Sequence, residues 1–246
     1  MEKLPNTTDV SQLLTGKESA ALGRRIFLRY IGATAAAGVV LSACQNQIVD
    51  PAARGAARAG DVINLGDIGY DDAGVLNYAY ALEQLEAAFY VQVMMTPFAG
   101  MNGYERQALS EIRDHEIIHR ELFKAALGSA AIPGLTPNFS AINFNSRASV
   151  LGTARVFESV GVSAYNGAGR LLKSADYLTL AGKIVSVEAR HVSIISELLN
   201  PMTTSFAGDD IVDPMTALGQ ARKPSEVLPL VQPFIQEKIN GKDQPQ

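Results

Sequence analysis

Two copies of one residue pattern occur in the chain, and they constrain its fold more than any other feature. In each copy a tyrosine follows one glutamate by seven residues, and a histidine follows a second glutamate by three. The copies are Glu83, Tyr90, Glu116 and His119, and Glu158, Tyr165, Glu188 and His191. The chain has only three histidines, so two copies in register call for a physical cause.

The four glutamates lie on apolar seams whose steps of three and four residues are typical of helices packed in a bundle. The seams predict four long helices, at about 72–96, 103–128, 147–173 and 175–200. Each helix is preceded by a side chain that can cap its free backbone N–H groups. The expected caps are Asp71 or Asp72, Asn102, Ser146 and Ser174.

The connection between the second and third predicted helices is long enough to cross from one helix pair to the other. It runs over about 129–146 and contains Pro133, Gly134 and Pro137, which favour a loop. A short amphipathic helix is expected at roughly 225–239. The sequence therefore predicts an all-α fold, an antiparallel four-helix bundle with a long crossover and a short C-terminal helix.

Glutamates inside such a bundle must be protonated, paired or bound to metal, since an isolated buried carboxylate costs several kcal/mol. Neither Lys nor Arg falls on the seams, whereas two divalent cations would balance four carboxylates. A histidine three residues after a glutamate lies on the same helix face. Mixed carboxylate and imidazole ligands suit iron or manganese. The predicted ligands of two such ions are Glu83, Glu116, His119, Glu158, Glu188 and His191.

Three further positions on the seams have open roles. Tyr90 and Tyr165 can each hydrogen-bond a ligating carboxylate of the opposite helix pair, or they are core aromatics. Glu86, whose counterpart in the second copy is Gly161, can be a fifth ligand, a gate for ions or a seam-edge residue reaching solvent. Glycines such as Gly161 and Gly167 allow close helix approach or leave space for a small oxidant.

A second motif competes with the two-metal hypothesis. His115 to His119 spells HExxH, the helix motif of zinc proteases. A protease of that kind needs a third ligand downstream. No Gly-x-x-His extension follows the motif, because residue 122 is leucine, and the next histidine is His191. The protease hypothesis also leaves Glu83 and Glu158 unexplained, so His115 is expected on the solvent side or beside a ligand.

The first 43 residues read as an export signal. Arg24 and Arg25 form a twin-arginine motif, and an apolar stretch over 31–43 follows that is too short to span a bilayer. The stretch ends at Cys44 in a sequence typical of bacterial lipoproteins. We expect cleavage before Cys44, a lipid on its thiol, and an exported protein anchored in the bacterial cell envelope.

The remaining domain boundaries follow from composition. Residues 44–70 are expected to be the anchor and a flexible tether, 71–200 the bundle, and 201–246 a loop and the short helix. The net charge is -4 and no basic stripe occurs, which argues against nucleic acid as a partner. A single cysteine provides no disulfide framework. Assembly into a homo-oligomer is compatible with the sequence.

The segments at 82–90 and 157–165, LEQLEAAFY and FESVGVSAY, together with the doubled ExxH, resemble the ferritin-like superfamily. They are most similar to exported bacterial members related to plant desiccation-associated proteins. The resemblance implies a centre of two iron (or manganese) ions, bridged by Glu116 and Glu188, that reacts with oxygen or peroxide in stress protection. It also leaves open a bundle that binds metal or protects the envelope on drying without catalysis.

Overall fold

The computed structural model describes residues 57–68 and 71–243. Four long helices form its centre, and their bounds are α1 at Asp72–Met95, α2 at Gly103–Leu127, α3 at Arg147–Ala168 and α4 at Ala175–Leu199. α1 packs mainly on α2, and α3 on α4. The predicted all-α four-helix bundle is thus confirmed.

The four long helices begin where the sequence predicted their N-terminal caps. Side-chain oxygens of Asp71, Asn102, Ser146 and Ser174 accept hydrogen bonds from backbone N–H groups in the first turns of α1 to α4 respectively. Each cap satisfies one of the free donors at a helix start. The third helix was predicted to reach residue 173, but it ends at Ala168 and continues as a 3₁₀ turn at Gly169–Leu171, because the glycines there weaken the α-helix.

The segment 128–146 crosses from α2 to α3 and is fixed to the C-terminal part of the chain. Backbone hydrogen bonds join Asn138 N–H to the Phe234 carbonyl, at 2.7 Å, and Gln236 N–H to the Thr136 carbonyl, at 2.9 Å. The buried carboxylate of Glu237 accepts another from Thr136 N–H, at 2.9 Å. The middle of the crossover is therefore held by the C-terminal segment.

The structure corrects the segments that flank the bundle. The expected tether ends in a strand, β1 at Val62–Ile68, which pairs in parallel with β2 at Lys238–Asp243. Leu65 and Ile68 of β1 are completely buried. The C-terminal helix is shorter than predicted: α5 spans Pro224–Val231 and gives way to a 3₁₀ turn at Gln232–Phe234, because Pro233 has no N–H to continue an α-helix.

The segment before α5 lies directly on α3. Arg222 N–H donates to the Ser163 carbonyl, at 2.9 Å, and its guanidinium donates to Ser163 Oγ, at 2.8 Å. A Cβ atom on Gly167 would lie 1.8 Å from the Arg222 carbonyl oxygen. Gly167 therefore allows a loop, not another helix, to approach α3 closely.

Candidate metal centre

The six predicted ligands lie at one level inside the bundle, and each of the four helices supplies at least one. Glu83 comes from α1, Glu158 from α3, and the two ExxH pairs from α2 and α4. All four glutamates are 0% exposed, because the seams that carry them face the bundle axis. The doubled pattern of the sequence thus becomes one cluster of side chains.

The cluster consists of two overlapping groups, each of which could hold a metal ion. The first group is Glu83, Glu116, His119 and Glu188, and the second is Glu116, Glu158, Glu188 and His191. Within each group the ligand atoms lie within 4.8 Å of one another. Glu116 and Glu188 belong to both.

Each shared carboxylate divides its two oxygens between the groups. Glu116 places Oε2 3.7 Å from His119 Nδ1 and Oε1 2.9 Å from His191 Nδ1. Glu188 places Oε1 2.9 Å from His119 Nδ1 and Oε2 3.9 Å from His191 Nδ1. This is the arrangement in which a carboxylate bridges two ions.

The polar atoms that point into the groups are mostly without hydrogen bonds. The buried atoms without such a partner include Glu83 Oε2, both oxygens of Glu116, both oxygens of Glu188 and His119 Nδ1. His119 Nδ1 is close to Glu188 Oε1, but the angles do not suit a hydrogen bond. Buried polar atoms are rarely left unsatisfied, so this donor set fits bound cations.

Tyr90 and Tyr165 make the hydrogen bonds across the helix pairs that their spacing predicts. Tyr90 Oη donates to Glu158 Oε1 at 2.6 Å, and Tyr165 Oη donates to Glu83 Oε1. Both phenols are buried. Each engages one oxygen of a carboxylate and leaves the other, Oε2, directed at the histidine of its own group.

The glutamates repel one another in the absence of cations. Burial, together with the charges of Glu158 and Glu83, raises the pKa of Glu116 to about 7. Burial and the charge of Glu116 likewise raise the pKa of Glu188 well above its usual range. At Glu83 burial is outweighed by the contact with His119 and by its charge, and the pKa is lowered.

The two histidines compensate part of this charge. Burial opposes a charge on His191, but the charge of Glu158 and the contact with Glu116 outweigh it and raise its pKa to about 11. The pKa of His119 is also raised: burial again opposes the charge, and Glu116 and Glu188 overcome it. Without cations, the protonated histidines therefore supply part of the positive charge that balances the glutamates.

Glu86 lies in neither metal group. It is 3% exposed, and a Cβ atom on Gly161 would lie 3.0 Å from its Oε1. The missing side chain at Gly161 thus makes room for the Glu86 carboxylate, not for closer helix packing. Burial, followed by the charges of four neighbouring glutamates, raises its pKa well above the usual range.

His115 does not take part in a zinc-protease site. Its Nδ1 lies 2.9 Å from Nε2 of His191, and it belongs to neither metal group. The two histidines of the HExxH motif therefore serve different partners. The sequence allowed His115 to lie on the solvent side or beside a ligand. The contact shows that it lies beside His191, one of the predicted ligands.

A narrow apolar cavity borders the site. Its lining includes Leu82, Phe123, Tyr165, Leu172 and Tyr177. About 20 Å³ of it can hold a water-sized molecule, which corresponds to roughly one such molecule. Tyr165 lines this cavity, and its Oη donates to Glu83.

The predicted export and anchoring residues, Arg24, Arg25 and Cys44, lie outside the described residues. In the part of the chain that the structure describes, no helix has the length and apolar content needed to cross a bilayer.

Comparison with known proteins agrees with the four-helix bundle. A family model described as a ferritin-like domain matches residues 71–201, which is more than half of the 246-residue chain. No curated protein matches the chain. The matched segment begins at the cap of α1, ends just after α4, and contains all six predicted ligands.

Proposed function

Because the chain belongs to the ferritin-like family, we propose that it binds a dinuclear iron or manganese centre that reacts with oxygen or peroxide. The buried carboxylate and histidine cluster fits a metal-binding helical bundle. The number of ions, their identity and the reaction are our proposal. The assigned ligands are Glu83 and His119 for one ion, Glu158 and His191 for the other, and Glu116 and Glu188 for both.

The shared carboxylates are the observation that carries this proposal. Glu116 and Glu188 each direct one oxygen at each group, which a single ion would not require. Two divalent cations bring four positive charges to four glutamates, so the buried charge balances. Ferritin-like carboxylate proteins hold two ions with this ligand pattern.

The ligand types favour iron or manganese over a structural zinc site. Four carboxylates and two imidazoles suit these harder ions, whereas closed zinc sites favour cysteine and histidine. When bound, such a metal pair supplies redox chemistry toward a small oxidant. Tyr90 and Tyr165 hold the terminal carboxylates in position, and the narrow cavity beside Tyr165 is compatible with a molecule of the size of dioxygen or peroxide.

The proposed reaction is tested with protein that has been loaded with Fe²⁺ without oxygen and mixed with hydrogen peroxide or aerated buffer. We expect rapid oxidation of two Fe²⁺ for each peroxide reduced to two waters, with one electron from each iron and two protons from solvent. Absorbance in the near ultraviolet follows the ferric product. Manganese-loaded protein is assayed for loss of peroxide.

Glu116→Ala is expected to abolish this reaction, because Glu116 contributes to both groups. Glu111→Ala is the matched control, since Glu111 is an exposed residue of the same helix, and it should react like the wild type. A wild-type protein that holds two ions but reacts with neither oxidant would contradict the redox activity. It would leave a bundle that binds metal without catalysis.

We also propose that the protein is an exported lipoprotein of the bacterial envelope, with the lipid on Cys44. The order of Arg24 and Arg25, the apolar stretch and Cys44 supports this proposal. In a bacterial host, the wild type should incorporate a labelled fatty acid and fractionate with membranes, and Cys44→Ser should do neither. Equal labelling of both proteins would contradict the anchor.

A further inference from the structure

The ring of His115 meets the ring of a proposed ligand edge to edge. His115 lies one turn before His119 on α2 and is half-buried. Its ring centroid is 5.2 Å from that of His191 on α4, and the planes differ by 10°. The 2.9 Å contact between His115 Nδ1 and His191 Nε2 joins the rings at their edges. The short contact between nitrogens of nearly parallel rings thus fixes the orientation of His191.

The direction of the His191 ring determines which of its nitrogens carries a hydrogen in the metal-bound state. His191 Nδ1 faces the carboxylates, 2.9 Å from Glu116 Oε1 and 3.2 Å from Glu158 Oε2. An imidazole nitrogen binds a cation through its lone pair, so the hydrogen must be on Nε2. His191 Nε2–H then donates to His115 Nδ1, which accepts.

Among the residues that the structure describes, none makes an equivalent contact in the first group. By the repeat, the position that corresponds to His115 is the one before Glu188, which is Val187. A valine side chain cannot accept a hydrogen bond from His119. The two halves supply the same ligands, yet only His191 has a neighbouring histidine that selects its tautomer and holds its ring.

We propose that His115 is a positioning residue that makes the two metal subsites inequivalent. The cation held by Glu158 and His191 is bound more firmly, and released more slowly, than the cation held by Glu83 and His119. A hydrogen bond to the outer nitrogen of a metal-bound histidine orients the ring and raises its basicity, and its loss typically costs about 10–100-fold in affinity. This inference rests on the proposed two-metal centre.

The test uses full-length protein loaded with Co²⁺, whose absorption bands report its own coordination. An excess of chelator is added, and the release of cobalt is followed over time. The wild type is expected to release its cobalt in two phases of equal size. His115→Ala should accelerate the slow phase about 10–100-fold and leave the fast phase within about two-fold.

Two variants separate positioning from general stability. His115→Gln offers an amide oxygen that accepts the hydrogen bond, so it should restore most of the slow phase. Val187→Ala alters the matching position of the other half and should change neither phase. Equal acceleration of both phases by His115→Ala, or no effect on either, would overturn the inference, as would a glutamine variant as fast as alanine.

The failure of this inference is distinguishable from the failure of the proposed function. Two cobalt ions that leave together, with or without His115, would contradict the inequivalence of the subsites and leave the dinuclear centre intact. Biphasic release that depends on His115, in a protein that proves inert toward peroxide and oxygen when loaded with iron, would support the inference and contradict the reaction.

Discussion

Glu116→Gln is expected to strip both ions from the protein and to make the metal-free chain more stable than the wild type. Glu116 supplies one oxygen to each metal group, and an amide is a much weaker ligand for iron or manganese than a carboxylate. The loss of affinity should exceed the roughly 100-fold that removal of an indirect partner costs. Metal content after dialysis measures it.

The gain in stability has a different cause. Burial and the charges of Glu158 and Glu83 disfavour the ionised Glu116, as its pKa of about 7 shows. Glutamine has a similar shape and no charge, so we expect a rise of about 1–3 kcal/mol in the free energy of unfolding at pH 8, the size of a typical single-residue effect. Urea unfolding in the presence of chelator measures this change.

Glu111→Gln provides the matched control, since Glu111 is exposed on the same helix. It should keep its metal and its stability. A Glu116→Gln protein that retains two ions per chain, or whose metal-free form is less stable than the wild type at pH 8, would contradict the roles assigned to this residue. The opposite signs of the two effects distinguish a ligand from a residue that only supports the fold.

Removal of the metal is expected to destabilise the wild type strongly at pH 8 and much less at pH 5.5. A cation at about 100 times its dissociation constant stabilises the folded state by about 2.7 kcal/mol, so two ions contribute about 5 kcal/mol. For a domain of this size that corresponds to a decrease of about 10–20 °C in the thermal midpoint. Calorimetry with and without chelator measures it.

The pH dependence follows from groups whose pKa changes on folding. The pKa of Glu116 rises from its unfolded value, near 4.5, to about 7, so the stability it contributes is present below pH 4.5 and is lost as the pH rises through 7. Glu188 and Glu86 shift in the same direction. Glu83, whose pKa is lowered, contributes the opposite dependence.

The histidines add to the same trend. His191, with a pKa of about 11 in the folded state and 6.5 otherwise, stabilises the metal-free protein below pH 6.5 and loses that contribution as the pH rises. Metal binding has the reverse dependence, because the ligands must be deprotonated. The difference between loaded and metal-free midpoints should therefore widen from pH 5.5 to pH 8. An equal difference at both values would contradict this account.

The helices and the site were predictable because their signals are local. A seam residue such as Glu116 belongs to a row of residues spaced three and four positions apart on its own helix, and a cap such as Asn102 acts three residues along the chain. The repeat also indicated which distant residues come together, because the two copies carry the same residues at the same spacing. The hydrogen bonds of Tyr90 and Tyr165 are one of the two roles that the repeated spacing left open for them.

The features that escaped prediction depend on distant partners. β1 contains Gly66, with φ 94°, and pairs with a strand more than 160 residues later that carries one large apolar residue, Ile239. Neither strand is recognisable without the other. The role of His115 likewise depends on the direction of a ring on another helix. Such contacts arise from packing and leave no periodic pattern in the sequence.

We propose that one chain holds two ions of iron or manganese between Glu116 and Glu188. Elemental analysis tests it most directly, with protein purified from cells that were supplied with iron, manganese and zinc together. We expect two ions of iron or manganese for each chain, reduced to a small fraction in Glu116→Gln. One zinc ion for each chain, with neither iron nor manganese, would contradict it.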